Sequence, residues 1–335
     1  MLPKTIFIFF MLFQLSTFAG AKDKPNILIF LVDDMGVMDT SQPFLPNRKG
    51  KTTKFPLNNF YRTPAMEKLT KTGVSFSQFY ANSVCSPSRA SLMNGQSAAR
   101  HRTTQWINLF ANNKDKHGPK EWNWHGLDKK STTLPKLLSK NGYHSIHCGK
   151  AHFAPVGHDG EFPQNIHFDV NIAGSGIGHP GSYYGKKNFG KGGNRPVPGL
   201  EKYHGKDIFL TEALTLEFNK EIAKTAKKKK PFFAYMSHYA VHGPFQNDPR
   251  FSKNYQKSNK DKSQKAFATL VEGMDKSLKD VITQLEKSKV AEDTLIIFLG
   301  DNGSAAPAGS AHGHNASAPL KGMKGTQYEG GMRVP

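Results

Sequence analysis

Oxygen-bearing side chains stand directly after two apolar runs of this sequence. The two pairs are Asp33-Asp34 after NILIFLV (26–32) and Asp301-Asn302 after TLIIFLG (294–300). Three carboxylates and an amide carbonyl, with no Cys or His in either pair, form a donor set that suits Ca²⁺ or Mg²⁺ and suits Zn²⁺ poorly. Either pair alone is better explained as the cap of a helix or turn. Because both pairs occupy the same position after an apolar run, we favour a site for a hard cation.

Basic side chains follow two further apolar runs. Lys150 and His152 come at the end of YHSIHCG (143–149), and FFAYMS (232–237) leads through His238 to His242. A lysine can stabilise negative charge on a reacting group, and histidine transfers protons near neutral pH. The chain contains 14 His residues, so packing alone remains an alternative for each of them, and it is the favoured one for His238.

Cys85 opens the pentapeptide CSPSR (85–89). Pro87 suits the first turn of a helix that runs toward Gly95, which would place the thiol at a positively polarised helix N-terminus. A thiol in that position is either a nucleophile of lowered pKa or a residue that is modified further. The alternative is a structural disulfide with Cys148, because the chain has 2 Cys.

The elements that would position these residues alternate between short apolar runs and helical patterns, which predicts an α/β fold with a largely parallel sheet. Strands are predicted at 26–32, 143–148, 232–237 and 294–300, and helices at 131–140, 207–227 and 265–285. A further helix is predicted to start with Thr63 as N-cap and Pro64 as its first residue. Since ligand sites in such sheets lie at the carboxyl ends of the strands, all these side chains are expected at one edge.

The composition is that of a globular protein with a strong excess of positive charge. The chain has 335 residues, of which 37% are hydrophobic and 21% charged, which excludes a bundle of membrane spans and a wholly disordered chain. The formal net charge is +20, which favours an anionic partner. Such a partner is nucleic acid, an acidic membrane surface or acidic polysaccharide. The lysine run at 227–230 is better explained as a solvated helix end than as a nucleic-acid arm, so we expect no nucleic acid.

Residues 1–21 have the pattern of a secretory signal peptide. One lysine precedes an apolar stretch (5–18), and Ala19-Gly20-Ala21 is a small-residue cleavage site. We therefore expect an exported protein, periplasmic or secreted, with no membrane span once residues 1–21 are removed. The mature chain, 22–335, is expected to be one catalytic domain.

Two motifs resemble the signatures of the type I sulfatases, a family of the alkaline-phosphatase-like superfamily. CSPSR followed by ASLMNGQ (85–96) is similar to the first signature, and GYHSIHCGKAH (142–152) is similar to the second. The segments DD (33–34), HGP (242–244), GDNG (300–303) and LKGMKGTQYEGGMRVP (320–335) match in the same order. The resemblance implies a large, mostly parallel sheet sandwiched between helices. It also implies that 22–335 is the N-terminal catalytic part of a sulfatase, without the smaller C-terminal subdomain, whose absence would expose a sheet edge.

The resemblance further implies a chemistry. A maturation enzyme would oxidise Cys85 to formylglycine, which displaces the disulfide interpretation, and one Ca²⁺ would be held by Asp33, Asp34, the modified Cys85, Asp301 and Asn302. The aldehyde hydrate would attack the sulfur of a sulfate ester of a carbohydrate, such as a polysaccharide or glycosaminoglycan fragment. The side chains implied to assist are Arg89, Lys150 and Lys324 as cations, His242 as the acid toward the leaving oxygen, and His152 as the base that releases sulfate.

Two other functions are alternatives to this one. A phosphatase or phosphodiesterase of the same superfamily would use Ser or Thr and two Zn²⁺ with added His ligands, and a non-enzymatic binder of sulfated glycans would lack a catalytic position. The loop at 173–199 is expected to contact the sugar, through Tyr183, Tyr184, His179 and Arg195.

Overall fold

The computed structural model describes residues 24–110, 122, 125–308 and 315–335. The predicted signal peptide lies outside these residues. The strands in the described part are β1 (Asn26–Val32), β2 (His144–Gly149), β3 (Val170–Ile172), β4 (Phe232–Ser237) and β5 (Thr294–Gly300). The α-helices there are α1 (Pro56–Phe60), α2 (Pro64–Thr72), α3 (Cys85–Asn94), α4 (Ala98–His101), α5 (Leu134–Lys140), α6 (Leu210–Ala226), α7 (Ser252–Tyr255), α8 (Lys262–Lys287) and α9 (Glu329–Met332). Short 3₁₀ helices occupy Asp159–Glu161, Pro163–Ile166, Gly185–Gly190 and Glu201–Tyr203.

The strands form one five-stranded sheet in the order β3-β2-β4-β1-β5, and every pairing between them is parallel. The predicted α/β fold with a mostly parallel sheet is therefore confirmed. The central strands β1 and β4 are buried on both faces, which explains why their sequences are unbroken apolar runs. The outer strand β5 is partly exposed, with Leu295 at 53% and Ile297 at 40%.

Two hydrophobic cores lie on opposite faces of the sheet because side chains alternate along each strand. Leu28, Phe30 and Val32 of β1 pack in the larger core with α2, α6 and α8. Ile29 and Leu31 pack on the other face with α3 and α5. The layer order is thus helices, sheet, helices, and the carboxyl ends of the strands are left to form one edge.

Three helix starts differ from prediction for identifiable reasons. The helix predicted at 131–140 begins at Leu134, because Thr133 is extended and serves as its N-cap. The helix predicted at 207–227 begins at Leu210, because Phe209 is extended and forms an isolated bridge with Tyr184. The helix predicted at 265–285 begins earlier, at Lys262, because Asp261 and Gln264 form a reciprocal capping box.

The start of α2 is capped by a distant residue. Thr63 is the N-cap position, but its hydroxyl oxygen accepts the backbone N–H of Ser41 and makes no cap hydrogen bond to the helix. The free amides of Ala65 and Met66 donate instead to the Asp275 carboxylate of α8, each at 2.9 Å. This contact fastens α2 to α8, and with it the loop that follows β1.

None of the helices within the described residues is long and apolar enough to span a membrane. Both cysteines are free and buried, and the Cys148 thiol faces the backbone carbonyl of Leu214 in the larger core. The disulfide considered from the sequence is absent.

Candidate active site

The carboxyl ends of four strands bring the candidate residues to one edge of the sheet. Asp33 and Asp34 follow β1 directly, and Asp301 and Asn302 follow β5, its hydrogen-bonded neighbour. Lys150 follows β2, and the segment leading to His242 follows β4. The left-handed backbone of Asp34, with φ of 62°, is a conformation that Asp tolerates better than most residues. It lets the Asp34 amide donate to the Asp301 carboxylate at 2.9 Å.

Three carboxylates form a compact buried cluster. Ligand oxygens of Asp33, Asp34 and Asp301 all lie within 4.8 Å of one another, and all three side chains are buried. Each carboxylate also contacts a cation. Lys150 Nζ lies 2.7 Å from Asp33, Lys324 Nζ lies 2.7 Å from Asp34, and an Arg89 terminal nitrogen lies 2.8 Å from Asp301.

The surrounding charges and burial shift the pKa values of the three carboxylates in different directions. Burial opposes ionisation of Asp34, but Lys324 and His242 outweigh it and hold the pKa of Asp34 below its usual range. Arg89 likewise overcomes burial and lowers the pKa of Asp301. Burial raises the pKa of Asp33 by more than Lys150 lowers it, and the neighbouring carboxylates add to the rise. A divalent cation would relieve this repulsion and favour ionisation of all three carboxylates.

The side-chain amide of Asn302 completes the oxygen set. Its Nδ2 donates to Asp34 Oδ1 at 3.0 Å and to the Gly303 carbonyl at 2.9 Å, while its Oδ1 is buried and has no hydrogen-bond partner. An unpaired buried carbonyl oxygen is costly, and bonding to a cation would satisfy it. The residues present therefore fit a hard metal ion.

Cys85 faces a histidine whose tautomer is set by the backbone. Cys85 is the first residue of α3 and is 2% exposed, and its Sγ lies 3.4 Å from His152 Nδ1. His152 Nε2 lies 2.8 Å from the Ile107 carbonyl. A carbonyl can only accept, so Nε2 carries the hydrogen and Nδ1 presents its lone pair to Cys85. Burial, with Lys150 adding to it, lowers the pKa of His152, so the ring is held neutral.

Ser86 and Ile107 belong to this arrangement although their sequence context did not indicate it. The Ser86 hydroxyl lies 3.3 Å from His152 Nδ1 and accepts the Ile107 amide at 3.0 Å. The backbone of Ile107 thus contacts both His152, through its carbonyl, and Ser86, through its amide. No motif marks a residue that acts through its main-chain N–H and C=O, so the sequence carried no signal for it.

Arg89 lies one helical turn after Cys85 and connects three strand ends. Its guanidinium is buried and donates to Asp301 after β5, to the Lys150 carbonyl after β2, and to Ser237 Oγ at the end of β4. Burial opposes its charge, but Asp301 and Asp33 raise its pKa above the usual range. Arg89 therefore remains positive and fixes the geometry of the edge. Ser237 is a further contact that sequence reasoning missed.

His242 lies in the loop after β4 and contacts the carboxylate of Asp34. Its Nδ1 donates to the Gly243 carbonyl at 2.9 Å, and its Nε2 lies 3.6 Å from Asp34 Oδ2. Burial lowers its pKa to about 3, against the attraction of Asp34. Nε2 is therefore the ring atom available for proton transfer.

Residues 25–335 match the family model described as Sulfatase. The chain belongs to the sulfatase family. A sulfatase from Formosa agariphila is 26% identical over 94% of this chain and 63% of its own length. The human N-acetylgalactosamine-6-sulfatase is 29% identical over 95% of this chain and 57% of its own length. The chain thus spans about six tenths of these relatives' length.

Solved structures agree with the family assignment. The crystal structure of Ps i-CgsB has a TM-score of 0.69 at 28% identity, covering 93% of this chain and 65% of that one. A second crystal holds Ps i-CgsB with k-i-k-neocarrahexaose, with a TM-score of 0.68. These neighbours support the alkaline-phosphatase-like fold.

Three other polar residues of this sulfatase chain do not contact the carboxylate cluster in the positions given for them. His238 Nε2 lies 2.8 Å from Ser277 Oγ of α8, and its ring contacts Phe30, so it packs in the larger core. Lys321, which belongs to the same segment as Lys324 (320–335), lies over the Tyr328 ring at 4.1 Å from its centroid. Tyr183 is fully buried, with its hydroxyl near the carbonyls of Tyr239 and His242, so its expected contact with the sugar is wrong.

Asp39 is a buried acidic residue in the loop after β1. Its buried carboxylate accepts the Gly36 amide at 2.9 Å and the Ser304 hydroxyl at 3.0 Å. The loop after β1 is thereby joined to the loop after β5. Burial raises the pKa of Asp39 to about 7.

Proposed function

We propose that this protein hydrolyses sulfate esters of a carbohydrate, with a formylglycine derived from Cys85 as its nucleophile and one Ca²⁺ as its metal. The observation that carries the proposal is the meeting, at one sheet edge, of the Cys85 thiol with the lone pair of His152 and of three buried carboxylates with an unpaired amide oxygen. Family membership supplies the formylglycine and the divalent metal as expectations for these positions.

The metal would be held by Asp33, Asp34, Asp301, Asn302 and the modified residue 85. When bound, Ca²⁺ supplies a positive charge that favours an ionised nucleophile and polarises the sulfate group. The donor set contains only oxygen once Cys85 is modified, which favours Ca²⁺ or Mg²⁺ over Zn²⁺. The Asn302 amide would turn its unpaired Oδ1 to the ion, while its Nδ2 keeps Asp34 in place.

The chain's own cations would bind the sulfate group. Three carboxylates already face Lys150, Lys324 and Arg89, so a divalent ion would leave the site with a positive excess. Lys150 and Lys324 can then turn part of their hydrogen bonding to sulfate oxygens. The Lys324 side chain is 21% exposed, whereas those of Lys150 and Arg89 are fully buried, so Lys324 is the cation of the three that can reach a ligand from outside.

Two imidazoles would transfer the protons of the reaction, one at residue 85 and one at the leaving oxygen. His152 Nδ1 faces residue 85 and would take a proton from its hydroxyl, as its hydrogen on Nε2 stays with the Ile107 carbonyl. His242 would pass a proton from Nε2 to the leaving oxygen. Because its Nδ1 hydrogen stays on the Gly243 carbonyl, it would do so as an imidazolium, whose charge Asp34, 3.6 Å away, would favour.

A sulfated carbohydrate is the substrate class that the relatives' names and the charge favour. The human relative is named for N-acetylgalactosamine 6-sulfate, and Ps i-CgsB was crystallised with a neocarrahexaose. A formal net charge of +20 suits polysulfated chains such as polysaccharide or glycosaminoglycan fragments.

We further propose that residues 1–21 direct export, that 22–335 form the catalytic domain, and that a formylglycine-generating enzyme acts on Cys85.

The test measures sulfate and phosphate release by the full chain, co-produced with a formylglycine-generating enzyme. We expect sulfate release from a panel of sulfated saccharides and from 4-nitrophenyl sulfate, loss of activity in EDTA, and recovery with Ca²⁺. Phosphate release restored by Zn²⁺ would instead support the phosphatase alternative. Saccharide binding without any turnover would support the non-enzymatic alternative.

A further inference from the structure

One segment of the loop after β3 contacts both imidazoles of the site. The His179 ring stacks on the His242 ring, with 5.2 Å between centroids and 13° between planes. The preceding residue, Gly178, lies against His152, because a Cβ at Gly178 would come within 2.9 Å of that ring. This segment therefore passes between the two groups that the proposed function assigns to proton transfer.

The two stacked rings share one tautomer. His179 Nδ1 lies 3.1 Å from the Pro180 carbonyl, and His242 Nδ1 lies 2.9 Å from the Gly243 carbonyl. Because a carbonyl only accepts, both Nδ1 atoms carry hydrogen and both Nε2 atoms present a lone pair. Burial, with Arg195 and Lys150 adding to it, lowers the pKa of His179 to about 4, so it remains an acceptor at neutral pH.

The half-buried position of His179 leaves it accessible to a ligand, in contrast to its fully buried neighbour Tyr183. His242 contacts Asp34 and the Gly243 carbonyl, and the His179 ring is stacked on the His242 ring. The two rings therefore form one continuous surface beside the carboxylates. A sugar whose sulfated oxygen faces His242 would bring a neighbouring hydroxyl toward His179.

We infer that His179 determines specificity by accepting a hydrogen bond from the sugar hydroxyl adjacent to the sulfated position, while its ring positions His242. This inference rests on the proposed function. It makes His179 a contact of the leaving alcohol, and it assigns no bond-breaking step to that residue.

Two variants separate the roles of acceptor and ring. His179→Phe keeps a flat ring for stacking and removes the Nε2 acceptor, whereas His179→Ala removes both. The readouts are kcat/KM for 4-nitrophenyl sulfate, for the saccharide sulfate that the wild type hydrolyses fastest, and for the deoxy analogue of that saccharide without the adjacent hydroxyl. His204→Phe is the matched control, since that ring packs against Phe189.

We expect His179→Phe to lose about 3- to 10-fold more on the saccharide than on the aryl sulfate, the effect of one hydrogen bond. The deoxy analogue should remove this difference, and His204→Phe should keep the wild-type ratio. His179→Ala should lose further on the saccharide and little on the aryl sulfate, because His242 is no longer held in its ring plane and is needed mainly for a poor leaving group.

Equal losses on both substrates, or a difference that persists with the deoxy analogue, would overturn the inference and leave the proposed function intact. A wild-type protein that releases no sulfate from either substrate would overturn both.

Discussion

At the scale of single residues, backbone carbonyls decide which atom of each imidazole can transfer a proton. Ile107 holds the Nε2 hydrogen of His152, and Gly243 holds the Nδ1 hydrogen of His242. The free lone pairs consequently lie on different ring atoms, one toward Cys85 and one beside Asp34. The two rings are thus prepared for different steps: His152 Nδ1 can accept a proton from residue 85, whereas His242 Nε2 must first take up a proton before it can pass one to the leaving oxygen.

Replacing His242 should have an effect that depends on the leaving group. An activated aryl sulfate needs little protonation, so His242→Ala should lose much less rate on 4-nitrophenyl sulfate than on a saccharide sulfate, where we expect a loss of roughly 10²- to 10⁴-fold. His152→Ala serves as the comparison, because its step is common to both substrates and both should be impaired. Equal damage by His242→Ala on the two substrates, measured as kcat, would contradict its assignment as the acid.

Replacing Asn302 should weaken metal binding more than its hydrogen bonds explain. Asn302→Ala removes the unpaired Oδ1, and we expect Ca²⁺ affinity by calorimetric titration to fall roughly 10- to 100-fold. Asn219→Ala is the matched control, since Asn219 of α6 also has an Oδ1 without a hydrogen-bond partner. If both variants bind Ca²⁺ as the wild type does, the amide oxygen of Asn302 is no ligand.

At the scale of elements, a few buried polar contacts hold the loops that bear the site. Asp39 joins the loop after β1 to Ser304 after β5, and Arg89 joins the ends of β2, β4 and β5. Asp275 of α8 caps α2 through two backbone amides. Because these residues bridge elements far apart in sequence, they set the geometry of the site only when the whole sheet has formed.

The Asp275 cap should make stability depend on pH. Burial raises the pKa of Asp275 from 3.8 to about 7, and the two backbone hydrogen bonds only partly oppose this. A carboxyl pKa that is higher in the folded state stabilises the protein fully below pH 3.8, and that contribution is lost as pH rises through about 7. The free energy of unfolding of the wild type should therefore fall between these pH values relative to Asp275→Asn.

Denaturant unfolding of both proteins across that pH range tests this expectation. Asn offers one acceptor to two amides, so the variant should carry a constant cost that does not vary with pH. Parallel pH profiles for the two proteins would show that Asp275 does not titrate there.

At the scale of the whole molecule, the formal net charge of +20 should act on substrate capture. Long-range attraction is screened by salt, with a Debye length that shrinks from about 10 Å at 0.1 M to about 3 Å at 1 M. We expect KM for a polysulfated oligosaccharide to rise steeply with NaCl, and KM for 4-nitrophenyl sulfate to rise little. If KM depends on salt equally for both substrates, the net charge of the molecule does not contribute to capture of the polysulfated substrate.

Much of this molecule could be predicted because its sequence signals are local. The apolar runs and the residues after them predicted β1, β2, β4 and β5. The short strand β3 is three residues long and lies in a segment without apolar periodicity, so it was missed.

The features that could not be predicted depend on contacts between distant parts of the chain. The Asp275 cap spans 210 residues, and the Ile107 contacts involve only main-chain groups that every residue possesses. The expected role of Tyr183 was wrong because its hydroxyl finds two buried carbonyls in the folded chain, which composition cannot show. Such contacts follow from packing and carry no sequence motif.

The most direct test of the central claim is the mass of the peptide that contains residue 85, determined in a preparation whose sulfate release has been measured. The account predicts an aldehyde at that residue in active protein, and a Cys85→Ala variant that folds and binds Ca²⁺ but releases no sulfate. Active protein with an unmodified thiol at Cys85, or sulfate release by Cys85→Ala, would contradict it.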